Sequence, residues 1–185
     1  GGASGIGKIM GRKSLERGCK NLIIWDIDEL GSQKTKDEFS KIGGEIFIFK
    51  VDISNVDEIR INAQKVRTEI GKVDILINNA GIVVGKYFHE HTHEQIQKSM
   101  QINANAAMHL TLEFLAEMMK ENSGAVCNIA SSAGLISNPK MSVYAASKWS
   151  VVGWSDSLRL ETEQLATNIS LATLMPLYLR TGMFC

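Results

Sequence analysis

The chain has 185 residues, 44% of them apolar, and its 20 basic and 20 acidic side chains cancel at neutral pH. That size suffices for one α/β unit with a substantial core, and zero formal charge withholds the long-range attraction that nucleic acid or an anionic membrane surface rewards. Cys19, Cys127 and Cys185 form no CxxC pair, which argues against a disulfide framework or zinc site and for a reducing, cytoplasmic setting, and no apolar run is long enough to span a bilayer.

Gly1-Gly2-Ala3-Ser4-Gly5-Ile6-Gly7 leads into a helix-period stretch at 6–17. Unpaired amides and the positive end of a helix dipole suit a pyrophosphate, with Gly1, Ser4, Gly5, Ile6 and Gly7 placed to hold it. Glycine belongs where a Cβ would block the turn, the phosphate, or the packing of helix on strand. A plain flexible loop is the alternative. The strand that ought to feed this turn is expected to lie outside the sequence, and the stop at Cys185, after a loop-like stretch, reads as a second truncation.

An apolar run at 22–25 ends on Asp26, 19 residues beyond Gly7. At that offset a carboxylate accepts hydrogen bonds from a ribose diol and repels a 2′-phosphate, so NAD(H) is expected over NADP(H), with Lys8 able to blunt the preference. A helical stretch at 31–42 and a run at 46–51 follow, after which Asp52 and Ile53 are placed to edge an adenine; a helix N-cap role competes for Asp52. Ser54 introduces a third helical stretch at 56–70, and the run at 73–77 leads into Asn78-Asn79-Ala80-Gly81.

His89, His91 and His93 have ligand-like spacing, but a solvent-facing loop and helix start is the expectation, with no metal. Thr92 and Gln95 make a capping-box pattern for a helix at 93–120. Asn103 inside it would satisfy a backbone group at a kink. A buried run at 125–129 emerges into Ser131 and Ser132, at the strand end where open α/β sheets bind ligands. There Ser131 can donate to a substrate oxygen as charge develops, while alternation turns Ser132 away. Gly18, Gly43-Gly44, Gly71 and Gly124 mark helix ends. Pro176 follows a last run at 169–174.

On the helical stretch at 142–166, four-residue spacing puts Tyr144 and Lys148 on one face. A unit charge some 4–6 Å from the phenolate is worth roughly 3–4 kcal/mol at an effective dielectric near 20. That would bring the phenol about two to three units down, close enough to neutrality for general acid and base work. Five short apolar runs alternating with helices predict right-handed crossovers and a Rossmann-like doubly wound parallel sheet in three αβα layers, its strands buried on both faces, as one domain over 1–185.

In this order and spacing, Gly-x3-Gly-Ile-Gly, Asp26, Asn78-Asn79-Ala80-Gly81, Asn103, Ser131 and Tyr144-x3-Lys148 resemble the single-domain branch of the short-chain dehydrogenase/reductase family across nearly the whole chain. Trp25-Asp26-Ile27, Gly85-Lys86 and Thr181-Gly182-Met183-Phe184 are most similar to the subgroup of 17β-hydroxysteroid dehydrogenase type 11 and the epidermal retinol dehydrogenases. The resemblance implies Tyr144 as proton donor and acceptor. It implies that Lys148 lowers the Tyr144 pKa and holds the nicotinamide ribose, that Ser131 orients the substrate oxygen, and that Asn103 anchors a water in a proton relay. Asn79, Ala80 and Gly81 would pass the cofactor with their backbone, Pro176 would lie beside the nicotinamide, and Thr181 would reach its carboxamide. The family follows its last strand with Pro-Gly; here Leu177 follows Pro176, so a turn of different shape is expected.

Resemblance also implies the partners. The expected reaction is hydride transfer between NAD(H), or NADP(H), and a small-molecule secondary alcohol or ketone of steroid- or retinoid-like character. Reduction of a 3-oxoacyl thioester with NADP(H), and dinucleotide sensing without turnover, are the alternatives. Phe114, Met118, Met119, Trp149 and Trp154 fall where the family packs helices into a homodimer or homotetramer, with core packing as the rival explanation.

Overall fold

The computed structural model describes residues 1–165 and 167–177. Helices α1 (Gly5–Glu16), α2 (Glu29–Phe39), α3 (Val56–Glu69), α4 (His93–Met100), α5 (Ala106–Glu121) and α6 (Ser142–Gln164) alternate with strands β1 (Asn21–Asp26), β2 (Glu45–Lys50), β3 (Ile75–Asn78), β4 (Gly124–Ile129) and β5 (Ile169–Leu174). All strand pairs are parallel, as helical crossovers demand.

Side-chain alternation along β1 shows how the layers form. Leu22 and Ile24 pack with Leu15 of α1 and Phe39 of α2, whereas Ile23 and Trp25 pack with Val66 of α3 and Phe114 of α5. Successive residues of a strand face opposite sides, so α1 and α2 cover one face while α3 and α5 cover the other. Val126 of β4 shares that second core, and Asn128, two residues on, donates to Ser155 Oγ of α6 at 2.8 Å. Helix α6 therefore lies on the same side as α3 and α5.

Where one sheet is predicted, the described residues form two, β1-β2 and β3-β4-β5. No ladder joins β1 to β3 among those residues; the glycine turn bridges them instead. The Gly2 N–H donates to Trp25 O at 3.4 Å, and Asn79 Nδ2 donates to Gly1 O at 2.6 Å. A shared core does the rest, with Ile23, Trp25 and Phe49 of the first sheet packed against Leu76, Val126 and Ile169 of the second. Burial on both faces also fails for strands with an unpaired edge: Ile75 is 64% exposed and Leu174 46%.

Three local predictions are corrected. The predicted helix at 93–120 is interrupted by a π-helical turn at Gln101–Asn105, which hydropathy periodicity does not register. Helix α3 is capped by Asn55, whose side chain accepts from the Asp57 and Glu58 amides. Ser54 instead donates its N–H and Oγ to Asp52 Oδ1 at 2.9 and 2.7 Å. Helix α5 stops on Asn122 in the left-handed region, φ 48°, so Gly124 opens β4 rather than closing the helix. The Thr92–Gln95 capping box forms as predicted. Phe114 and Met118 are buried core residues, while Trp149 is half exposed. No described helix is long and apolar enough to cross a membrane.

Candidate active site

A cavity of about 490 Å³ opens along the carboxyl ends of the strands, a size within the range of small-molecule and cofactor sites. At one end lie Ser4, Gly5 and Ile6, the first residues of α1. Ser4 is the N-cap and makes no side-chain cap bond, so the leading amides of α1 have no partner from it, and the positive end of the helix dipole lies at this end of the cavity. Gly5 has φ +53°, the conformation that turns the chain into the helix.

Gly7 does not line the cavity, and its job is packing. A Cβ there would collide with Gly1 O and stand 2.6 Å from Asn79 Nδ2. The absent side chain thus lets α1 press against the hydrogen bond that fixes the turn.

Asp26, at the end of β1, is 9% exposed and borders the cavity. Its Oδ2 accepts from the Ala3 amide at 2.9 Å and its Oδ1 from the Asp28 amide at 3.0 Å. The carboxylate therefore pins the turn as well as facing the cavity, a structural duty beyond the predicted one. Lys8 points away, with Nζ 2.6 Å from Glu38. Asp52, Ile53 and Val51 form the adjoining wall. The hydrogen bonds from Ser54, its hydroxyl first, hold the Asp52 carboxyl below the ordinary range.

Beyond β3, Asn78 turns inward, its Nδ2 donating to Asn128 Oδ1 at 2.8 Å and Thr111 Oγ1 at 3.0 Å. It ties β3 to β4 and α5. Asn79, Ala80 and Gly81 line the cavity. Gly81 sits at a close approach: a Cβ would stand 3.2 Å from Asn103 Oδ1 and 3.6 Å from Lys148 Nζ.

At the far end the cavity is walled by Ser131, Tyr144, Lys148 and Pro176. Ser131 follows β4, and its Oγ accepts from the Ala133 amide at 3.2 Å. Ser132 does not turn away as strand alternation predicts. A 3-10 turn at Ser132–Gly134 ends the alternation, and a small recess of about 20 Å³ is lined by both serines together with Ala133, Met141, Tyr144 and Leu177. The Ser132 N–H donates to Pro176 O at 3.0 Å, which anchors the Pro176-Leu177 segment, and Leu177 presents a 70% exposed side chain at the mouth.

Electrostatics here differ from the expectation. Lys148, 4% exposed, donates to Ile129 O at 2.8 Å, and its Nζ is 5.9 Å from the Tyr144 ring centre. Burial lowers the Lys148 pKa to about 8. Burial likewise pushes the Tyr144 phenol above its ordinary range, against a hydrogen bond with Ser131 that pulls it down. The predicted lowering by the ammonium is thus absent from this arrangement, because desolvation dominates and the ammonium is engaged with a backbone carbonyl.

Asn103, 3% exposed in the π-turn, is not on the cavity wall. Its Oδ1 accepts from the Ile82 amide at 2.8 Å, and its Nδ2 donates to Ile82 O at 2.9 Å and Ser147 Oγ at 3.1 Å. The side chain satisfies backbone groups at a kink. Thr181 lies outside the described residues. Sequence reasoning missed Ile27, Val51, Ile82, Ile102, Ile129, Ala130 and Leu177 on the lining; reading one residue past each motif would have found Ile27, Ile82 and Leu177. Among the described residues no cluster of histidine, cysteine and carboxylate side chains could hold a metal.

The family model for short chain dehydrogenases matches residues 1–185. Estradiol 17-beta-dehydrogenase 11 of Macaca fascicularis is 37% identical over 183 residues, 98% of this chain and 61% of the relative. Epidermal retinol dehydrogenase 2 of Mus musculus is 32% identical, with 100% of this chain and 60% of the relative covered. The chain thus spans about 61% of the length of such relatives. A short chain dehydrogenase/reductase of Burkholderia phymatum, solved in complex with NAD, superposes with a TM-score of 0.94 at 29% identity, covering 99% of this chain and 65% of that one. One from Sphingobium yanoikuyae, solved with NADPH, gives 0.90 at 25% identity, covering 99% and 70%.

Proposed function

Since the chain belongs to the short-chain dehydrogenase family, we propose that it transfers hydride between NAD(H) and a hydrophobic alcohol or its carbonyl partner. The observation that carries this reading is that Ser131, Tyr144 and Lys148 border the same cavity as the glycine turn and Asp26. A dinucleotide fits that cavity: amides for the pyrophosphate, a carboxylate for the ribose diol, apolar Val51 and Ile53 beside the adenine position, and Lys148 for the second ribose.

Bound NAD supplies a hydride acceptor at its nicotinamide ring. Oxidation removes a hydride from the alcohol carbon and a proton from its oxygen. Tyr144 takes that proton, so it must enter the step as phenolate. Ser131 donates a hydrogen bond to the same oxygen, which favours the charge that builds there. Lys148 supplies positive charge to the phenolate once its ammonium swings from Ile129 O toward Tyr144. Reduction runs the same protons backward.

The relatives' names, which specify estradiol and retinol, support a hydrophobic substrate, and the small recess beside Ser131 and Tyr144 sets apolar Ala133, Met141 and Leu177 beside polar Ser132 and Asn138. A purified full-length protein should produce NADH from at least one steroid- or retinoid-like alcohol. NAD binding with no turnover across a broad panel of alcohols, ketones and 3-oxoacyl thioesters would instead identify a dinucleotide sensor.

The cofactor preference has its own test. Asp26→Asn is expected to cut the ratio of NAD to NADP affinity at least about tenfold, equivalent to about 1.4 kcal/mol, because a 2′-phosphate no longer meets a negative charge. Titration of protein fluorescence with each dinucleotide reads it. An unchanged ratio would move the selectivity elsewhere.

A further inference from the structure

Among the described residues, Ser147 is a buried polar group that the proposed reaction leaves without a task. It lies on α6 between Tyr144 and Lys148, is 0% exposed, and faces away from the cavity. Its hydroxyl donates to Tyr144 O at 2.6 Å and accepts from Asn103 Nδ2 at 3.1 Å. Asn103 in turn grips both backbone groups of Ile82, the residue after Gly81 on the cavity wall. We propose that Ser147 is a positioning residue, the pin of a clamp that fixes the turn bearing Tyr144 and Lys148 against the Gly81-Ile82 wall of the cofactor cavity.

Each part of the clamp restrains a different body. The π-turn projects Asn103 out of the α4–α5 axis, the Ile82 bonds hold the segment after β3, and Ser147 transmits both to the first turn of α6. Tyr144 reaches the cavity from that turn, and Lys148 from the next residue but three. With the hydroxyl gone, Asn103 keeps Ile82 and α6 loses its reference. A misplacement on the order of 1 Å between reacting groups can cost about a hundredfold in rate, whereas the turn at residues 1–7, Asp26, Val51 and Ile53, which would hold the pyrophosphate and the adenosine half, are untouched.

Ser155 provides the control. It sits two turns further along α6, is 2% exposed, and accepts a comparable buried bond from Asn128 Nδ2 at 2.8 Å; neither residue lines the cavity. The inference rests on the proposed reaction, so wild-type turnover on the chosen alcohol comes first; failure there strikes the reaction rather than the clamp. Given turnover, Ser147→Ala should lower kcat at least tenfold with the NAD Kd within twofold. Ser155→Ala should lose similar thermal stability yet keep kcat within twofold. Equal kcat in Ser147→Ala and wild type, or equal losses in the two variants, would overturn the clamp. If Ser147→Ala proves too unstable to purify, Ser147→Cys, the same branching with a larger atom that is only a weak donor, must show the same separation of kcat from Kd.

Discussion

Tyr144→Phe is expected to lower kcat for alcohol oxidation at least about a hundredfold, within the range general acid–base catalysis supplies, while the NAD Kd changes by no more than a few-fold. The ring is 5% exposed and stays in place, so the substitution removes a hydroxyl and little else. Stopped-flow measurement of NADH formation separates the steps: dinucleotide binding persists and the hydride-transfer phase slows. A kcat within tenfold of wild type would deny Tyr144 the proton. The pH dependence follows the same logic. Burial raises the phenol's pKa, so oxidation, which needs the phenolate, should accelerate as pH rises, and reduction, which needs the phenol, should accelerate as pH falls.

Lys148→Met should abolish most turnover and yet stabilise the cofactor-free protein at neutral pH. The ammonium is buried, with its pKa lowered from 10.5 to about 8. Between those values the unfolded chain holds a proton that the folded chain has released, so wild-type stability gains from this group as pH rises through the window. Below about pH 8 the full cost of burying the charge is present. A gap of that width corresponds to about 3 kcal/mol, and loss of the hydrogen bond to Ile129 O takes back about 1 kcal/mol. The variant should therefore be about 2 kcal/mol more stable at pH 7 in urea unfolding, and the advantage should vanish near pH 10. A destabilised variant at pH 7 would contradict the burial argument.

The parts legible in the sequence were those governed by fixed spacing. Helical period set Tyr144 and Lys148 on one face, strand-to-helix turns set the glycines, and a strand end set Asp26; the cavity collects Tyr144, Lys148, Asp26, Gly1 and Gly5, while Gly7 packs behind the turn. What escaped depended on through-space terms. The Coulomb estimate for Lys148 ignored the desolvation that raises Tyr144 and the competing carbonyl of Ile129. Ser54 and Asn55 are both competent caps, and only the backbone path decides that Asn55 serves α3. The apolar lining at Ile102 carries no signature, since a half-buried isoleucine within a helical stretch reads as core packing.

The π-turn at Gln101–Asn105 also governs which kinds of change this chain can absorb. A π-turn holds one residue more than the α-turn it replaces, with little change in the phase of the helix on either side, so excising a single position there would let the backbone relax into uninterrupted α geometry. Phe114 and Met118 of α5 would keep facing the core that they fill, but Asn103 would lose the place that the turn gives it. Length is therefore a guarded quantity in this segment: a lost codon would unseat Asn103, and with it the grip on Ile82 and Ser147.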